Sequence, residues 1–303
     1  MNKGLKKFFI ICAAAVCMGL ILSVVGYVTG GIHFMDKLSE KYTWFRGGNV
    51  ERTYTSLKET DQFDSLSVKG DIDVMICKGD ISKTRVSFDK NSNNPIFRVE
   101  NGVLTVDAGE MKGGVLIDLG TGDRSPYLEV YVPEGINIKN IDIDTDYGDV
   151  EISDISAGTV SINADSGDIS MDRVSYDTMN IISDYGDIEG RVLKSKGLSI
   201  EADAGDIDLQ GEFYGNTNIK SDYGDTDIVT TLKEELYTLD LYTDFGDVEA
   251  GSHKYEDFGY INQGNGENII KVVNDSGDIY VPTDFDTKEK ALSGAKAAEK
   301  GLK

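Results

Sequence analysis

Cysteine is scarce in this chain: three in 303 residues, with Cys12 and Cys17 inside an apolar N-terminal run. Only Cys77 lies in the acidic remainder, which excludes a disulfide or a cysteine-cluster zinc site there and leaves Cys77 as a small apolar core residue. Histidine is scarcer still, with only His33 and His253. No G-x-S-x-G, H-E-x-x-H or phosphate-binding loop accompanies either one. Four prolines and 34 glycines without a triplet period exclude proline-rich and collagen-like chains. Basic side chains are outnumbered, 30 against 53 acidic, for a net charge of −23. Nucleic acid is therefore not an expected partner, since its binding rests on neutralising phosphates with Lys and Arg. The charge suits a self-repelling surface domain, or one that attracts cations.

Long apolar runs are also lacking, with one exception. Phe8 to Val28 carries no charge; at about 1.5 Å per residue it spans roughly 30 Å, the hydrocarbon thickness of a bilayer. Lys3, Lys6 and Lys7 precede it and every acid follows it. The positive-inside rule then predicts a cytoplasmic tail at 1–7, a transmembrane helix at 8–28 and an extracellular remainder on a single-pass cell-membrane protein. A cleaved secretory signal is the competing reading, but no A-x-A-like site follows the run. Residues 29–54, with Gly30-Gly31 and Gly47-Gly48, are expected to form a stalk.

What the sequence has in abundance is repetition. D-x-G-D occurs at Asp146-Tyr147-Gly148-Asp149, Asp165-Ser166-Gly167-Asp168, Asp184-Tyr185-Gly186-Asp187, Asp203-Ala204-Gly205-Asp206 and Asp222-Tyr223-Gly224-Asp225, spaced by 19 residues each time. Asp244-Phe245-Gly246-Asp247 and Asp275-Ser276-Gly277-Asp278 follow after gaps of 22 and 31. Aliphatic residues flank each motif with period two, such as Ile143, Ile162, Ile181, Ile200, Ile219, Leu241 and Val272 three positions before the first Asp. That alternation predicts strands with one buried face. A two-strand unit cannot bury its apolar face alone, whereas stacked units can. The expected fold is therefore all-β, a single β-solenoid (β-helix) of about 19 residues per coil behind one N-terminal transmembrane helix.

Within each turn the residue before the first Asp is small, as a corner with little interior volume requires: Thr145, Ala164, Ser183, Ala202, Ser221, Thr243 or Asn274. The turn glycines, Gly148, Gly167, Gly186, Gly205, Gly224, Gly246 and Gly277, are expected to supply a positive φ. The flanking aspartates are expected to accept backbone N–H groups. The longer gaps before Phe245 and Ser276 are expected to bulge out as loops between successive coils. Regular repeats are assigned to 134–282. Residues 55–133, where Gly70-Asp71-Ile72 lacks the preceding Asp, are read as an N-terminal capping part. A separate small β-domain there is the alternative. Residues 283–303 drop the strand pattern and form a tail.

The stretches FDSLSVKGDIDVMI, YLEVYVPEGINIKNIDIDTDYGDVEI and the iterated D-x-G-D-I units resemble the “putative adhesin” family of bacterial domains of unknown function. That family is similar in turn to the autotransporter-adhesin-head-like group. The resemblance implies a β-solenoid at the cell envelope, often behind a membrane segment in Gram-positive bacteria, with no catalytic residues to carry over. Association of some members with envelope-stress responses implies a second role, as an accessory or sensor protein with a partner in the membrane. This chain departs from the family's S-G-D-I turn where Tyr or Phe follows the first Asp, at Tyr147, Tyr185, Tyr223 and Phe245.

Three chemistries compete with plain structural duty for these residues. Stacked carboxylates at Asp146, Asp149, Asp165, Asp168, Asp184, Asp187, Asp203, Asp206, Asp222 and Asp225 could attract calcium; turn capping in water is the simpler reading, so no cofactor is expected. Tyr147, Tyr185, Tyr223 and Phe245 could form an edge of shallow slots for sugar rings; packing over small neighbours is the alternative. Carboxylate-based glycan cleavage is the third, but an Asp recurring in every unit fits structure better than one tuned acid–base pair. The expected function is therefore a non-enzymatic, membrane-anchored, adhesin-like domain that binds cell-wall glycan or an envelope membrane protein.

Overall fold

The computed structural model describes residues 52–54, 58–59, 62–79, 83–89, 96–109, 127–251, 253–256 and 259–282. The expected tail at 1–7, transmembrane helix at 8–28, nearly all of the stalk and the tail at 283–303 lie outside them. Among the described residues the strands join in one 22-stranded sheet, and no helix is long and apolar enough to cross a membrane.

The period-two pattern does what it predicts. From Ile141 to Thr145 in Ile138–Tyr147 and from Val160 to Ala164 in Ser156–Ser166 every second residue is buried, and the two strands pair in parallel with Ile143 opposite Ile162. Each later layer repeats the register at an offset of one unit: Ile162 opposite Ile181, and Ile181 opposite Ile200. Equivalent side chains therefore lie directly above one another, about 4.8 Å apart. The column continues through Ile200, Ile219, Val272 and Leu241, all buried. A second face runs through Val150, Ile169, Ile188, Ile207, Thr226, Ile279 and Val248. Burying each aliphatic side chain in these columns contributes on the order of 1.5–3 kcal/mol.

Two corners join the faces. One is the D-x-G-D turn; the small residues before it, from Thr145 to Asn274, are all buried as expected. Asn274, the bulkiest, is accommodated by donating from Nδ2 to the carbonyl of Gly224 at 3.2 Å and accepting from Thr226 Oγ1 at 3.4 Å. At the second corner the chain turns on Gly135, at φ 84°, and in the next three layers on residues other than glycine: Asp154, Arg173 and Val192 adopt φ of 56°, 53° and 52° there.

The order of layers corrects the sequence reading. The segments before Phe245 and Ser276 do not simply bulge between successive coils. Asn268–Ser276 pairs in parallel with the 216–223 stretch on one side and with Tyr237–Phe245 on the other. The last layer in the chain is therefore inserted beneath the one that precedes it. The same inversion occurs at the other end, where Ser65–Gly70 lies between Val103–Gly109 and Ile138–Tyr147. Asp73–Gly79 likewise lies between Tyr127–Pro133 and Val150–Ser153. The 65–79 segment is thus a full layer of the stack, continuous with the repeats.

Antiparallel strands close both ends. Lys83–Asp89 pairs with Tyr127–Pro133, and Ile96–Glu100 with Val103–Gly109. At the opposite end Gly259–Gly264 pairs with Tyr237–Phe245, and His253–Tyr255 with Val248–Ala250. Paired this way, the outermost layers do not offer a bare parallel edge, which would template association.

Candidate functional site

The D-x-G-D corner is built from three superposed ladders. In the first, Gly167, Gly186, Gly205, Gly224 and Gly277 donate their N–H to the residue before the glycine of the next layer: Gly186 to the carbonyl of Ala204 and Gly205 to that of Tyr223, both at 3.1 Å. Glycine is needed at Gly186 for two reasons. Its φ is +138°, and a Cβ there would collide with the carbonyl oxygen of Gly167 in the layer below. Gly148 departs from the expectation: it has no positive φ, and clearance against the carbonyl of Ile72 alone excludes a side chain.

The second ladder is made by the second aspartate of each motif. The N–H of Asp168 donates to Asp149 Oδ1 at 2.9 Å, that of Asp187 to Asp168 at 3.0 Å, and those of Asp206 and Asp225 to Asp187 and Asp206 at 2.9 Å. The inverted layers continue it, Asp278 onto Asp225 and Asp247 onto Asp278, each at 2.8 Å. At the other end Asp149 donates to Asp73. Asp73, rather than Asp71 of the Gly70-Asp71-Ile72 match, therefore holds the motif's position, because that corner is shorter by one residue. These carboxylates replace the backbone acceptors that a sharp corner turns away from the ladder.

The third ladder projects outward. Tyr147 stands opposite Ser166, Ser166 opposite Tyr185, Tyr185 opposite Ala204 and Ala204 opposite Tyr223. Tyr223 then stands opposite Ser276, and Ser276 opposite Phe245. Large and small residues thus alternate without interruption through the inverted layers, although the sequence places Phe245 directly after Tyr223. Tyr147, Tyr185, Tyr223 and Phe245 are 64%, 64%, 66% and 73% exposed. These rings are not buried against their small neighbours.

The first aspartates line the same edge. Partial burial, then the charges of Asp146, Asp184 and Asp144, raise the Asp165 carboxyl above its ordinary range. On the face beyond the turn, Glu189 stands opposite Asp208 and Asp208 opposite Asp227. Burial and then the charges of Asp208, Asp225, Asp206 and Asp278 push Asp227 up to about 6. Near the second corner, by contrast, acids are paired: Arg173 grips Asp154 through Nε at 2.6 Å and a second nitrogen at 3.0 Å, and Lys196 meets Asp177 at 2.6 Å. Arg173 holds the Asp154 carboxyl below its usual range. Negative charge is therefore concentrated at the aromatic edge.

Among the described residues, no group of three or more His, Cys, Asp or Glu side chains converges as a metal site. The aspartates proposed from sequence for calcium are stacked in line instead, and one oxygen of Asp149, Asp168, Asp187, Asp206 and Asp225 is already taken by a backbone N–H. His253 lies in the exposed capping strand His253–Tyr255.

Parallel layers wound around an aliphatic interior, with stacked turns along one corner, define an all-β, solenoid-like repeat domain. Residues 58–282 match the Toastrack DUF4097 family, and the chain belongs to it. Among solved structures, it is similar to a putative adhesin from Bacteroides fragilis, at 10% identity and a TM-score of 0.42 over 76% of this chain and 97% of that one. A putative cell adhesion protein from Clostridium sporogenes is 14% identical, with a TM-score of 0.34 over 77% and 99%. A putative lipid binding protein from Parabacteroides distasonis is 12% identical, with a TM-score of 0.31 over 76% and 98%. No curated protein matches the chain.

Proposed function

We propose that this chain is a non-enzymatic, adhesin-like domain, held at the outer face of a cell membrane by residues 8–28, that binds a linear polymer of the cell envelope along its aromatic edge. The observation that carries this reading is the unbroken alternation Tyr147, Ser166, Tyr185, Ala204, Tyr223, Ser276, Phe245. The alternation survives a change of layer order, and each ring keeps most of its surface in water. Exposed aromatics spaced by small residues are suited to stacking against flat, partly apolar ligand units. A linear polymer with its own repeat meets such an edge at many points, and multiple weak contacts raise avidity without a deep pocket. The stacked aspartates have a structural role in every layer, which supports the non-enzymatic reading.

The test is co-sedimentation of the full chain, in detergent micelles, with purified cell walls. The wild-type chain should pellet, and the triple variant Tyr147→Ser, Tyr185→Ser, Tyr223→Ser should bind at least ~10-fold more weakly while unfolding at the same temperature, because the replaced rings are exposed. Undiminished pelleting of that variant would overturn the reading. Protease shaving of intact cells tests the orientation: residues 52–282 should be cleaved from outside.

A further inference from the structure

We infer that the polymer taken by this edge is an amine-bearing glycan with a two-sugar repeat, read in register with every second layer. This rests on the function proposed above and adds to it the chemistry of the ligand.

The spacing comes first. Adjacent parallel layers lie about 4.8 Å apart, so successive rings in the alternating column recur about every 9.6 Å. In an extended β-1,4-linked glycan each sugar advances the chain by close to one layer and is flipped relative to the one before it. The same ring face therefore recurs at every second sugar. A column with an aromatic at every layer would meet both faces indiscriminately; one at every second layer meets a single face. Ser166, Ala204 and Ser276 leave room for the intervening sugar, and Tyr223, Ser276 and Phe245 keep the count through the inverted layers. An extended peptide strand has a shorter two-residue repeat, so its side chains would drift out of step with the rings.

The charge comes second. Each exposed ring is flanked in sequence by a carboxylate on one side and, beyond the glycine, by another: Asp146 and Asp149 about Tyr147, Asp184 and Asp187 about Tyr185, Asp222 and Asp225 about Tyr223. Lys220 meets Asp222 at 3.3 Å, and Lys254 meets Asp247 at 3.4 Å. Lys69 likewise meets Asp144 at 3.4 Å, and among the described residues these few cations leave so acidic an edge strongly negative. The raised carboxyl of Asp165, with Asp146 and Asp184 among its causes, is consistent with that crowding. Polymers bearing phosphates or uronic acids are repelled. A free amine on alternate sugars would instead find a carboxylate for a charge-assisted hydrogen bond and an aromatic face within reach.

The experiment is calorimetric titration of the full chain in detergent micelles with a β-1,4-linked glucosamine oligomer, its fully N-acetylated counterpart and polylysine, in mildly acidic buffer that keeps the amines protonated. The glucosamine oligomer should bind at least ~10-fold more tightly than the acetylated one. The pair Tyr185→Ser and Tyr223→Ser should weaken it at least ~10-fold while leaving polylysine binding unchanged. Equal affinity for the two oligomers overturns the inference while leaving the proposed function standing. Loss of glucosamine and polylysine binding in equal measure in the tyrosine variant, or in neither, overturns it too, since the edge would then act without distinguishing a sugar from any cation. If no oligomer binds and cell-wall pelleting is also absent, both readings fall.

Discussion

Asp187 performs two tasks that pull in different directions: its Oδ1 accepts the N–H of Asp206, and its charge adds to a column of like charges one layer apart. Asp187→Ala should cost about 1 kcal/mol, the net value of an exposed hydrogen bond to a charged acceptor, whereas Asp187→Asn keeps the acceptor and removes the repulsion. Urea titration of the two variants should place Asn at or above wild type and Ala below it. Asp227 shows the electrostatic side alone. Its value of about 6 lies above the unfolded value of about 3.9, so the folded chain holds that proton more tightly. The resulting penalty is absent below about pH 4 and complete above about pH 6, and stability should rise on acidification through that window. Because the side chain keeps an exposed flank, the effect should be discounted to about 1 kcal/mol. Asp227→Asn should remove this part of the pH dependence and raise stability at neutral pH. The turn residues were the most legible part of the chain, since glycine and small side chains are demanded by geometry alone. That the second aspartate of each motif bonds to the layer below, and not within its own turn, could not be read from one unit in isolation.

At the scale of elements, the strands were legible and one of their two corners was not. Alternation of Ile and Val with polar residues announces a half-buried strand wherever it occurs, and a D-x-G-D turn marks its end. The other corner has no such mark, because Asp154, Arg173 and Val192 share no chemistry, only a left-handed backbone. Val192 is the most costly of the three, a β-branched residue at φ 52° and 61% exposed. Val192→Gly should therefore stabilise the chain by about 1 kcal/mol, seen as a higher unfolding temperature. Arg173 explains its own place differently, since its side chain grips Asp154 in the layer below. The aromatic edge was legible as a list of residues, but its alternation was hidden by Phe245, which in the chain follows Tyr223 with no small residue between. Only pairing of Ser276 with both reveals the order.

At the scale of the whole stack, a strict period invites the assumption that chain order and layer order coincide. Both ends break it, and the interruptions of 22 and 31 residues are the lengths of chain needed to climb past one layer, form a closing hairpin and return. The consequence is mechanical. A polypeptide tugged at residues 62 and 282 would begin to unravel from the strands next to those points, and here those strands, Ser65–Gly70 and Ile279–Val281, sit inside the stack. Ser65–Gly70 is held on both flanks by parallel partners, so tension along it must slide a whole row of bonds together. An outer strand such as His253–Tyr255, held only on one side by Val248–Ala250, can be peeled bond by bond. Optical-trap stretching between residues 62 and 282 should therefore show a higher rupture force than stretching between residues 62 and 254. A domain wound this way resists the drag of whatever it holds.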